Sequence, residues 1–107
     1  MSKIKLSYKE KTYTLEFNRR TARIIEENGF KLEEIGNQPN KMIPLLFQGA
    51  LLKNHQNIKP SLLDDIYDAQ TQKSELVMAL ANMYGDTVKS LVGDEEDESK
   101  NATWELV

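Results

Sequence analysis

The sequence predicts an α+β domain, an N-terminal antiparallel β-hairpin packed on a bundle of about four helices, followed by an acidic tail expected to be disordered. Three observations predict it. Two short segments near the start alternate apolar and polar residues with period two. Four later segments carry apolar residues at three- and four-residue spacing, between Asn, Pro and Gly punctuation. The charge is also divided: the chain is formally −3, yet Asp94–Glu98 alone holds five acids, and residues 1–93 hold thirteen Lys or Arg against eleven Asp or Glu. A length of 107 residues fits one domain. The expected division is therefore a body over 1–93 and a tail over 94–107.

The first alternating segment places Ile4, Leu6 and Tyr8 opposite Lys3, Lys5 and Ser7. The second places Tyr13, Leu15 and Phe17 opposite Thr12, Thr14 and Glu16. This is the pattern of half-buried strands. Lys9-Glu10-Lys11 connects them without the Gly or Asn usual in a two-residue turn, which leaves the turn type open. A hairpin alone is marginal, so its apolar face must lie on the helices. Asn18 is placed to cap a helix from Arg19 to about Asn28, with Ala22, Ile25 and, less exactly, Ile24 as its stripe. Gly29 suits the left-handed position that ends it. Phe30, Leu32 and Ile35 then drop three side chains toward the core from a single turn or loop.

Asn40 is expected to cap a helix over roughly 41–54, with Pro44 in its first turn. Met42, Ile43, Leu45, Leu46, Phe47, Leu51 and Leu52 make that helix apolar nearly all round, as a central helix would be. Gly49-Ala50 leaves a small face for close approach. Ser61 is expected to cap the next helix, with Leu62, Leu63, Ile66 and Tyr67 as its stripe. A last helix is expected from about Gln72 to Leu91, and Gly85 inside it implies close packing or a kink. Asp94 onward is too polar to bury a core. The tail reads either as a solubilising acidic end or, because Trp104, Leu106 and Val107 restore apolar character, as a linear segment that adds to a sheet edge or a groove.

Composition excludes several chemistries. With no Cys there are no disulfides, thiol nucleophiles or thiolate metal sites. A single histidine, His55, excludes multi-histidine metal sites and has only amide neighbours; a structural or surface role at a helix C-terminus, where positive charge is favoured, is expected. Asp64, Asp65 and Asp68 cluster on one helix, but the helix N-terminus accounts for the first two, and no calcium-loop pattern surrounds them. No nucleophile–base pair or phosphate-binding glycine loop is present, so the protein is not expected to be an enzyme and no cofactor is expected. Arg19, Arg20 and Arg23 with Lys3, Lys5, Lys9 and Lys11 make the N-terminal third basic, but interspersed acids dilute the patch and no nucleic-acid-binding motif accompanies it. The longest uncharged run, residues 42–52, is about half the roughly 20 residues a membrane span needs and no signal-peptide stretch opens the chain. A cytoplasmic protein is expected.

Four blocks then stand out: TLEFNRRTARIIEENGF, MIPLLFQGALLKNH, LLDDIYDA and ELVMALANMYGDTVKSLVG. Their order and spacing over about residues 3–93 resemble the small tail assembly chaperones of long-tailed, siphovirus-type bacteriophages and prophages of Gram-positive hosts. The residues that carry the resemblance are Tyr13, Leu15, Phe17, Gly29, Phe30, Ile43 to Phe47, Ala50, His55, Ile66, Tyr67 and Tyr84. The resemblance implies a non-enzymatic protein of the host cytoplasm. It would bind and solubilise the long helical tape measure protein, help recruit tail tube subunits, and leave before the virion is complete. In many such phages a frameshift also yields a longer form, and the acidic end sits where the shorter form would stop. Phe47, Leu51, Met83, Tyr84, Trp104, Leu106 and Val107 are the expected partner-binding residues. Met42, Met78 and Met83 offer adaptable packing surface. Self-association is expected from the all-round apolar helix 41–54. The competing readings are a structural head–tail or tail component of the virion and a small nucleic-acid-binding phage regulator.

Overall fold

A computed structural model describes residues 3–92 and 105–106. Strands β1 (Ile4–Tyr8) and β2 (Lys11–Leu15) form a two-stranded antiparallel sheet. Helices α1 (Arg19–Glu27), α2 (Pro39–Leu52), α3 (Pro60–Asp68) and α4 (Lys73–Val92) follow, with a 3-10 turn at Leu32–Glu34. The hairpin packed with four helices is the architecture expected from the sequence. The expected disorder of the tail over 94–104 and at 107, and the 93/94 boundary, lie outside the described residues.

The hairpin register pairs Ile4 with Leu15, Leu6 with Tyr13 and Tyr8 with Lys11. That leaves Lys9 and Glu10 as a two-residue turn. Both have positive φ, 48° and 67°, as a type I′ turn requires, although neither is the Gly or Asn that favours it. Leu6, Tyr13, Leu15 and Phe17 are buried against the helices.

Asn18 caps α1 as expected. Its side chain accepts from Thr21 N–H while the Thr21 hydroxyl oxygen accepts from Asn18 N–H, a closed capping box. At the other end Phe30 N–H bonds to Ile25 C=O and Gly29 N–H to Glu26 C=O. This 6→1 and 5→2 pair is a Schellman motif, and it requires the φ of +100° that Gly29 supplies. Phe30 is buried and Ile35 half-buried, but Leu32 is exposed, a correction to the expectation of three core residues in this segment.

Helix α2 is the central element. It packs against β2, α1, α3 and α4. Met42, Leu46, Phe47, Gly49, Ala50 and Leu51 are all buried. Ile43, Pro44, Leu45 and Leu52 stay half-buried, so the rest of the molecule covers most but not all of its apolar circumference. At Gly49 α1 comes close: a Cβ there would sit 2.7 Å from Ile25 Cγ2 and 3.1 Å from Phe17 Cε1. The helix starts two residues earlier than the Asn40 cap implied, with Pro39 preset for the first turn and no side-chain cap. Pro44 therefore lies inside the helix, and Asn40 C=O loses the N–H that would normally reach it.

Two other boundaries also shift. Helix α3 begins at Pro60, with Lys59 rather than Ser61 at the cap position and no side-chain cap bond. Proline at the first position replaces the hydroxyl cap by a preset φ. Helix α4 runs unbroken through Gly85, where a Cβ would meet nothing within 4 Å. Neither close packing nor a break explains that glycine.

Candidate functional site

The C-terminal end of α2 and the residues just past it close one edge of the hairpin. Glu16 N–H donates to Ala50 C=O at 2.8 Å. Thr14 N–H donates to His55 Nε2 at 3.0 Å, and Asn54 Nδ2 reaches Thr14 C=O at 3.4 Å. The His55 ring packs edge-on to Tyr13, with centroids 5.1 Å apart. His55 thus serves here as a hydrogen-bond acceptor for the edge of β2.

Glu16 belongs to the same cluster. It is 3% exposed, against the expectation that it lies on the polar face of β2. Lys53 Nζ pairs with its carboxylate at 2.9 Å, and Asn54 Nδ2 donates to it at 3.2 Å. The bonds from Lys53 and then Asn54 hold the Glu16 carboxyl below its ordinary range, outweighing the opposing effect of burial. The three consecutive polar residues Lys53-Asn54-His55 thus each satisfy a group on or beside β2.

Three of the open depressions on the described surface bear on partner binding. The first, about 210 Å³, lies between α2 and α3. Ile43, Pro44, Phe47, Leu63 and Tyr67 form its apolar wall, and Asp64 and Asp68 stand on its rim. Phe47 meets Tyr67 edge-on at 5.4 Å. Burial, then the charge of Asp68, pushes the Tyr67 hydroxyl up from its ordinary pKa. The second, about 350 Å³, lies between Phe30–Glu33 and α4, beside Gly85. There Tyr84 is flanked edge-on by Phe30 and Phe17, at 4.9 and 5.9 Å, and its hydroxyl donates to Glu26. Burial and then that bond push the Tyr84 hydroxyl above the usual tyrosine range. The third, about 490 Å³, runs along β1 and the start of α4.

Among the expected partner-binding residues, Phe47, Leu51, Met83 and Tyr84 are core side chains, each 7% exposed or less. Phe47 and Tyr84 also border a depression. Leu106 is 92% exposed, and Trp104 and Val107 lie outside the described residues. Met78, at 66%, is on the surface, whereas Met42 and Met83 are buried. Arg19, Arg20 and Arg23 are exposed on α1, with Arg19 and Arg23 beside Val88 and Leu91 of α4. Among the described residues no three His, Asp or Glu side chains converge as metal ligands would, and no helix is long and apolar enough to cross a membrane.

No curated protein and no solved structure matches this chain. Residues 1–106 match the family described as Domain of unknown function (DUF5055), and the chain belongs to that family.

Proposed function

We propose that the protein is a non-enzymatic tail assembly chaperone of the host cytoplasm, which binds the phage tape measure protein, keeps it soluble and helps recruit tail tube subunits. The observation that carries this reading is where Ile43–Phe47 lies. The same block that carries the resemblance to such chaperones supplies one wall of the α2–α3 groove. That groove suits the apolar stripe of a helix, because Ile43, Pro44 and Tyr67 are only half-buried and already face an opening. Asp64 and Asp68 on the rim favour a helix whose apolar residues are flanked by Lys or Arg. Such contacts are reversible, as a factor displaced by tube subunits requires.

Co-expression with the tape measure protein tests the reading. The expected result is a soluble complex, which Ile43→Glu or the pair Asp64→Lys and Asp68→Lys weakens while leaving the chaperone folded. A tape measure protein that stays insoluble alongside the folded chain would overturn it. So would recovery of the chain from purified virions, which would favour a structural tail component.

A further inference from the structure

The hairpin leaves one edge open. Thr14 and Glu16 direct their main-chain groups away from β1, toward His55, Asn54 and Ala50. In an antiparallel ladder, paired residues point the same way with respect to the pair: both inward or both outward. Lys5 pairs with Thr14 and Ser7 with Thr12, so Lys5 and Ser7 direct their N–H and C=O groups away from β2. Neither is hydrogen-bonded to another described residue. Beside this edge runs the third depression, in which the half-buried Leu76 and Ala79 of α4 form an apolar strip bordered by the polar Gln70, Thr71, Gln72 and Glu75. An edge with unpaired groups above an apolar strip is the geometry of strand addition.

The chain also carries a segment that fits. Trp104-Glu105-Leu106-Val107 puts Trp104 and Leu106 on one face of an extended strand and Glu105 on the other. Laid along β1, Trp104 and Leu106 would cover Leu76 and Ala79, and Glu105 would lie on the face of Lys5. Leu106 is 92% exposed in the single chain, so it is not seated on its own body. We infer that residues 104–107 of one copy add as a third strand to β1 of a second copy. The inference uses a different surface from the α2–α3 groove and stands independently of the chaperone reading.

The full chain contains one tryptophan, Trp104, which therefore reports the docking directly. Sedimentation and Trp emission are measured together over a rising concentration series. The expected result is a mass that grows with concentration, in step with a shift of emission to shorter wavelength. Ser7→Pro removes one outward N–H without touching the ladder to β2. It should keep the far-ultraviolet circular dichroism and weaken association at least about tenfold. Leu106→Glu should weaken it similarly, and because it lies outside the hairpin it does so without a folding risk. A strict monomer at every concentration would overturn the inference. So would association that both variants leave unchanged, or an emission already blue-shifted in the dilute monomer, which would place the segment on its own chain.

Discussion

The two edges of the hairpin are finished in opposite ways. On the β2 side, Thr14 and Glu16 find partners in Ala50, Asn54 and His55, and the buried Glu16 carboxylate is matched by Lys53. On the β1 side, Lys5 and Ser7 face an open depression. A two-stranded sheet cannot support itself, so one edge must be fixed to the body. The end of α2 does this, and it does so with polar groups because main-chain donors and acceptors must be satisfied even where the surroundings are apolar. The other edge is left with exposed lysines, which discourage promiscuous pairing while still admitting a strand that carries an acid.

Proline is the sharpest way to break this contrast. Thr14→Pro removes the N–H that His55 accepts and should cost about 2–3 kcal/mol in chemical denaturation. Ser7→Pro, on the open edge of the same sheet, should cost less than about 0.5 kcal/mol in the dilute monomer. Equal losses would mean that the edges do not differ.

Lys53→Met should cost about 2 kcal/mol by the same measurement, because Glu16 stays buried with only Asn54 to offset its charge. The value is below that for a fully buried pair because the Lys53 side chain is 35% exposed. Acid should act on the same link. The folded-state pKa of Glu16 is depressed, so its contribution is fully present above the ordinary carboxyl value of 4.5 and is lost as pH falls through the lower folded value. Thermal unfolding below pH 4.5 should therefore fall more steeply in the wild type than in Lys53→Met.

Two glycines should give modest effects of opposite sign. Gly49→Ala should destabilise by about 1–2 kcal/mol, since the new methyl must displace the branched end of Ile25 near the point where Ala50 holds β2. Gly85→Ala should stabilise by about 1 kcal/mol, because its added methyl meets open space and improves helix propensity. Melting temperatures moving in the same direction would contradict the assigned packing.

Much of this fold is legible in the sequence because it is local. The alternation at Ile4–Tyr8, the Asn18 cap and the Gly29 stop each act within a few residues. Helix α2 could be recognised as central from its apolar circumference alone. What escaped depends on distant partners. Glu16 continues the alternation of β2, so only the approach of Lys53 and Asn54, nearly forty residues on, puts it inside. The run Lys53-Asn54-His55 past an apolar helix was the one available signal. Pro44 was misplaced because Pro39 and Asn40 are both acceptable helix starts. Four of the expected partner-binding residues lie in the core for a physical reason. Phe47, Leu51, Met83 and Tyr84 were selected as large apolar side chains, and the core selects by the same property. Half-buried neighbours such as Ile43 and Tyr67 are better candidates, and sequence periodicity does not separate half-buried from buried.

Residue-resolved amide hydrogen exchange tests the asymmetry of the two edges most directly. In the dilute chain, Thr14 and Glu16 should be strongly protected while Lys5 and Ser7 exchange at rates near those of exposed amides, and protection at Lys5 and Ser7 should grow as concentration rises. Lys5 and Ser7 amides as slow as Thr14 in the dilute monomer would contradict the account.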